Sequence, residues 1–242
     1  MAQKSTVSKP NTDSIPDLAP YWKKLDLAEL LALPSAFVSI SQCNSLYYEK
    51  GAQGSERHWE RGNLENTVKV AKACRQAGSK FYWIGYDIFR KSHGYPMTPM
   101  DEVQYSAWEE LGKGKDEAYK KWDGELVDDL KALVQTGDEE FFELALESSF
   151  CGTQLPLSLA RNNIKTIVLC GIHLDWCIEG NARAARDNGL MPIVVGDACA
   201  CQRAEDEPAA LRRINAFFAP VISADRCVAL IKESMKRRKA AA

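Results

Sequence analysis

Apolar residues fall along this chain in short runs that alternate between two periods. Ala36 to Ser41 (AFVSIS), Phe81 to Tyr86 (FYWIGY), Phe141 to Leu146, Thr166 to Cys170 (TIVLC) and Pro192 to Val195 are near-continuous apolar runs of strand length. Such runs read as buried strands rather than half-exposed ones. Between them the spacing turns helical. Leu64, Val68, Ala71 and Arg75 mark a helix over 64–77, the last through its side-chain stem, and Gly78 stands at the C-terminal cap position. Leu126, Val127, Leu130, Leu133 and Val134 form a second helical stripe. A helix from about Trp176 to Asn188 ends at Gly189. Another runs from Glu207 to Phe218, with Asp206 as its cap and Pro208 in its first turn. Val221 and Ile222 read as a last short strand before a final helix.

This alternation over about 200 residues predicts an α/β fold, a mostly parallel sheet with helices on both faces. Ligands of such sheets bind at the carboxyl ends of the strands. The stretches to watch are therefore 41–45, 86–89, 147–153, 171–177 and 196–201. Residues 1–34 read as a polar arm, with Pro10, Pro16 and Pro20, and a lead-in helix; 35–232 is the main domain; 233–242 is a basic, solvated tail. The stretch from Asp87 to Asp123 is long, weakly periodic and rich in Gly, Pro, Lys and aromatics. It reads as a loop that covers a site or an interface.

Composition narrows the function classes. The chain has 242 residues, 45% hydrophobic and 26% charged, as in an ordinary globular protein. With 33 acidic against 31 basic residues it has no positive excess for phosphate contacts, so nucleic acid is not an expected partner. The apolar runs are too short to cross a bilayer, and no membrane partner is expected. The N-terminus lacks a signal-peptide core. The eight cysteines sit mostly inside apolar runs, the usage of free buried thiols in a reducing compartment, so a cytoplasmic location is expected.

One segment carries chemistry. The strand of TIVLC ends at Gly171, and Cys177 follows six residues later at the start of a helix. A helix start offers unpaired N–H groups and a positive dipole end, which lower a thiol's pKa and can hold an oxyanion. On spacing alone a small buried thiol packed at a helix start is the favoured reading, since burial without a base is the commoner fate of cysteine.

The segment from Thr166 to Gly189 resembles the nucleophile motif of the isochorismatase-like cysteine hydrolases, the superfamily of nicotinamidases, N-carbamoyl amide hydrolases and isochorismatase. Ser148-Ser149-Phe150-Cys151-Gly152-Thr153-Gln154-Leu155 resembles that family's S-A-F-x-G-T-x-L. Val194-Val195-Gly196-Asp197-Ala198-Cys199-Ala200 is similar to its V-V-x-D-A-x-A, and Ala36 to Leu46 resembles its first strand. The resemblance covers about 35–232. It implies a three-layer α/β/α sandwich with a six-stranded parallel sheet, a small-molecule substrate, and assembly as homodimers or homotetramers. It also implies a mechanism in which an Asp takes the thiol proton, a Lys supports the charged pair and a Cys attacks a carbonyl carbon. Cys177 matches the nucleophile, His173 the position whose N–H joins the oxyanion hole, and Ile172-His173 the family's non-proline cis peptide.

Two positions depart from that pattern. Ser41 stands where the Asp belongs, in Ile40-Ser41-Gln42-Cys43-Asn44, and no Asp occurs from 27 to 86. Leu144 stands where the Lys belongs, and no Lys occurs from 132 to 164. A serine hydroxyl is no general base near neutral pH, and leucine carries no charge. Three accounts stay open: a replacement base (Glu147, His173 or Asp87), ligand binding with other chemistry, or an inactive site in an interaction protein. The residues expected to line a substrate are Asn44, Tyr86, Phe89, Trp176, Glu147 and Phe150. Tyr47, Tyr48 and Trp83 also fall near strand ends, and Arg90, Lys91 and Arg183 are possible carboxylate anchors.

No cofactor and no metal are expected. Some nicotinamidases hold metal through an Asp-x-His after the second strand, and Asp87-Ile88-Phe89 lacks the His. Cys170, His173 and Cys177 are spaced by strand, turn and helix rather than by a ligand knuckle. Cys199-Ala-Cys201 reads as part of a loop, and Gly112-Lys-Gly114-Lys115 is not a phosphate loop because no strand leads into it.

Overall fold

A computed structural model describes residues 14–89, 97–142 and 148–241. Six strands form one sheet: β1 (Ser35–Ile40), β2 (Lys80–Gly85), β3 (Glu139–Phe142), β4 (Thr166–Ile172), β5 (Met191–Ala200) and β6 (Val221–Ile222). Their order is β3-β2-β1-β4-β5-β6, and every pair is parallel. The helices are α1 (Leu27–Ala32), α2 (Asn44–Tyr47), α3 (Asn63–Gln76), α4 (Pro99–Leu111), α5 (Glu117–Gly124), α6 (Asp128–Lys131), α7 (Leu155–Arg161), α8 (Glu179–Asp187), α9 (Glu207–Phe217) and α10 (Ala224–Ala241).

Every residue of β1 and β4 is buried, because helices cover both faces. Alternate side chains go to opposite layers. Phe37, Phe81, Trp83, Val168, Cys170, Ile193 and Val195 pack with α1, α3 and α10. Ala36, Val38, Ile40, Tyr82, Ile84, Ile167, Leu169 and Val194 pack with α7, α8 and α9. The three-layer α/β/α expectation holds.

Several local expectations change. The buried face of α3 runs through Thr67, Val70, Ala71 and Cys74, with Leu64 and Val68 only partly buried at its edge. Arg75 lays its guanidinium over Phe81, 3.4 Å from the ring centre, so packing at that position is by the head as well as the stem. The stretch 87–123 is largely helical where described. α4 opens on a capping box between Thr98 and Asp101 with Pro99 in its first turn, and α5 opens on Asp116. The stripe at 126–134 yields only the single turn of α6. β5 runs on to Ala200, so Cys199 and Ala200 are strand rather than loop, with an irregularity opposite Leu169–Gly171. Asp206 stands at the N-cap of α9, but its side chain makes no cap hydrogen bond there and pairs with Arg203. The basic run at 236–239 lies within the last turns of α10, where Arg237 pairs with Asp26 and Arg238 donates to the Ala77 carbonyl.

The end of the arm packs on its own domain. Leu18 is buried, Trp22 Nε1 donates to the Asn215 carbonyl at 2.6 Å, and Asn215 Nδ2 donates back to the Asp17 carbonyl at 2.8 Å. The sheet order reverses direction between β1 and β4, the place where open α/β sheets bind ligands.

Candidate active site at the strand-order switch

β1 and β4 run side by side with Ile40 opposite Gly171, so Ser41 and Ile172-His173 leave the sheet together. The approach is close. Gly171 has φ 140°, and a Cβ there would lie 2.1 Å from the Ile40 carbonyl oxygen, so only glycine fits. The Ile172–His173 peptide is cis, as the resemblance implies. Ser41 is buried in the left-handed region at φ 54°, and its N–H donates to the Ile84 carbonyl.

After His173 the chain makes one π-helical turn, Leu174–Ile178, and then enters α8. The turn is closed by Ile178 N–H donating to the His173 carbonyl at 3.0 Å. Such turns recur at functional sites. Cys177 lies in it, 4% exposed. Asn181, one turn on, donates from Nδ2 to the Cys177 carbonyl at 2.8 Å, and its Oδ1 accepts from Ser149 N–H and Oγ at 3.1 and 2.9 Å. The S-S-F segment is thereby tied to the cysteine turn through a buried asparagine. Its spacing of four residues from Cys177 was the available signal for this link.

His173 stacks on Trp176, with ring centres 5.9 Å apart and planes at 20°. Its Nε2 lies 2.7 Å from Glu56 Oε2, and His58 Nε2 lies 2.7 Å from the same oxygen. Burial pushes the Glu56 carboxyl up, but the hydrogen bonds from His173 and His58 outweigh it and hold it at about 2. Burial pushes His58 down to about 4 against the pull of Glu56. Glu56 Oε1 accepts from Gln202 at 3.3 Å and Gln53 at 3.4 Å. Arg61 closes the assembly, donating to the Glu56, Cys201 and Gln202 carbonyls and to the Glu207 carboxylate. Neither Glu56 nor His58 stood out as a site residue in the sequence, where they lie more than a hundred positions from His173.

The β1 side is built differently. Asn44 N–H donates to the Glu125 carbonyl, Val127 N–H to the Gln42 carbonyl, and Asn44 Nδ2 to the Trp122 carbonyl. Gln42, Tyr47, Asn63 and Thr67 share one buried hydrogen-bond network, so Tyr47 belongs to the core. Trp83 does too, with Nε1 donating to Asp138. Tyr86 meets Trp108 of α4, while Phe89, Tyr119, Trp122 and Tyr48 make a separate series of ring contacts along α5.

Asp87 Oδ1 accepts from Phe89 N–H, a local turn contact. Nearby Asp123 is 1% exposed; burial raises its carboxyl, while the Ala52 N–H bonded to it pulls the other way. Phe150 borders a cleft with Asn163, Lys165 and Leu190, which lie just ahead of β4 and β5, at the amino ends of these strands. Arg183 pairs with Glu179 and lies over Phe218, a structural role on α8. Glu147, Leu144, Arg90 and Lys91 lie outside the described residues. The cysteines at 43, 74, 170, 199, 201 and 227 are buried, and burial raises each thiol.

Residues 35–226 match the isochorismatase domain. The chain belongs to the isochorismatase family. It is 31% identical over 155 residues to the isochorismatase family protein YwoC of Bacillus subtilis (strain 168), which covers 62% of this chain and 79% of that one. It is 28% identical over 163 residues to nicotinamidase 3 of Arabidopsis thaliana, covering 67% and 76%. Its fold matches the crystal structure of the nicotinamidase PncA from Bacillus subtilis with TM-score 0.62 and 18% identity, covering 79% and 100%. The family and the fold are those of hydrolases. Among the described residues no helix is long and apolar enough to cross a membrane.

Proposed function

We propose that this protein is a cysteine-dependent hydrolase of a small-molecule amide, ester or related carbonyl compound, with Cys177 as the nucleophile. The observation that carries the reading is the placement of Cys177 in a rigid turn at the strand-order switch, held through Asn181 to the S-S-F segment. The thiolate attacks the carbonyl carbon, and N–H groups of the turn face the developing oxyanion. The amine or alcohol leaves, and water hydrolyses the resulting thioester. Activation of the thiol is non-standard, since Ser41 and Leu144 occupy the positions of the family's Asp and Lys. His173 has Nε2 committed to Glu56, so a proton it took from the thiol would go to Nδ1. The ring pairs Tyr86–Trp108 and Phe89–Tyr119, which follow the carboxyl end of β2, would suit a planar or apolar substrate.

The test is the pH dependence of alkylation at Cys177, read by peptide mass spectrometry with the other cysteines as internal comparisons. The reading expects fast modification persisting well below a free thiol's pKa of about 8.5. Modification that follows ordinary thiol titration, with the site shown to be accessible, would remove the nucleophile assignment and leave a ligand-binding or interaction role.

A further inference from the structure

We propose that Glu56, His58 and His173 form a binding site for a divalent transition-metal ion of the zinc class. Their ligand atoms lie within 4.8 Å of one another, on side chains that are 6%, 0% and 5% exposed. Two separate parts of the chain converge on one point. Glu56 and His58 flank Arg57, which sits in the left-handed region at φ 55°, and His173 arrives from the carboxyl end of β4. Both imidazoles turn the same nitrogen, Nε2, onto the same carboxylate oxygen.

Two imidazoles and one carboxylate are a donor set that zinc and its neighbours favour, and its net charge suits a dication. Tetrahedral bonds of 2.0–2.1 Å would need ligand atoms about 3.3 Å apart, so each Nε2–Oε2 separation would widen by roughly half an ångström. A surrounding shell that fixes the ligands is present. Gln53 and Gln202 hold the other carboxylate oxygen, and Trp176 backs the His173 ring. Arg61 is the nearby cation, and its donors are directed to three backbone carbonyls and Glu207. His58 Nδ1 has no partner whether an ion or a pair of N–H bonds holds the cluster, so it does not choose between them. The donors differ from the Asp-x-His arrangement after the second strand, which this chain lacks. The proposal does not depend on Cys177 being a nucleophile. If both hold, the ion would place positive charge one turn from a cysteine whose motif has lost its lysine.

The experiment uses the whole protein, stripped with chelator and titrated with Zn2+ or Co2+ alone. One equivalent should bind, and X-ray absorption of the zinc-loaded wild type should show a nitrogen and oxygen shell with two imidazoles and no sulfur. Removing a group that only orients a ligand typically weakens binding 10–100-fold, so Glu56→Gln or His58→Asn, checked for folding by circular dichroism, should weaken it at least about 100-fold. Failure to bind a stoichiometric ion overturns the site. So does sulfur in the shell, or unchanged binding in folded Glu56→Gln and His58→Asn. The absorption measurement on wild type decides the matter even if the variants do not fold.

Discussion

The two halves of the sheet meet at the switch point and are built on different terms. In the β4–β5–β6 half a buried asparagine, Asn181, ties Ser149 to the turn that holds Cys177. The β3–β2–β1 half carries Ser41 at the end of β1, where the sequence resemblance would place an Asp. It secures the end of β1 by backbone hydrogen bonds from 42–44 to 125–127 and by the network of Gln42, Tyr47, Asn63 and Thr67. The contrast teaches that two strands meeting at one switch point can be secured by different means, a single side-chain amide on one side and a polar network with backbone bonds on the other. The β1 corner is held by amide and hydroxyl groups.

The strongest way to break this contrast is kinetic. Once a substrate is in hand, Cys177→Ser should lower kcat roughly ten-thousand-fold, whereas Ser41→Ala should lower it less than about tenfold. Equal losses in steady-state assays would show that the β1 corner is as chemically engaged as the β4 corner. Next comes the seam between the halves. Gly171→Ala should destabilise the fold by at least about 4 kcal/mol, read from the urea midpoint, because the new Cβ meets the Ile40 carbonyl and φ is positive.

Within the β4 half, Asn181→Ala removes the acceptor for Ser149 and the donor to Cys177. A loss of about 2–3 kcal/mol in chemical denaturation is expected, together with slower alkylation of Cys177. A stable variant with unchanged alkylation would separate the S-S-F segment from the cysteine turn. Within the β1 half, Asp138 accepts from both Arg75 guanidinium nitrogens at 2.7 Å and from Trp83 Nε1. Burial opposes ionisation of its carboxyl, but these bonds outweigh it and hold it below the usual range. Its contribution is therefore present above the unfolded carboxylate pKa of about 3.9 and fades as pH falls through the lower folded value. Asp138→Asn should cost about 2 kcal/mol at pH 7 and flatten that acid limb, measured as denaturation midpoints from pH 2 to 7.

Much of the fold was legible because both central strands are apolar on both faces and the helices between them carry punctuation such as Gly78 and Gly189. The stretch 87–123 was not legible as helix because α4 does not segregate its apolar residues: Met100 and Val103 are exposed while Tyr105 is buried. Its true signals were local, Thr98 with Asp101 and then Asp116. The length of β5 was hidden because Gly196 and Asp197 look like turn residues. Yet Gly196 makes room for Ile15 and Leu211, and Asp197 Oδ1 accepts the Ala224 N–H at the start of α10. Cys177 stood out in the sequence as a candidate. The Glu56, His58 and His173 cluster did not, because the topology that joins its parts is a property of the whole sheet.

Arg61 has a consequence for motion. One guanidinium holds carbonyls of residues 56, 201 and 202 and the carboxylate of Glu207, so the segment ahead of α3 and the link from β5 to α9 share one fastening. Two loops fastened at one point do not fluctuate independently: opening either exposes the same bonds. Their amide hydrogens should therefore exchange with solvent in step, and any route by which a molecule reaches His173 from that side opens or stays shut as a single door.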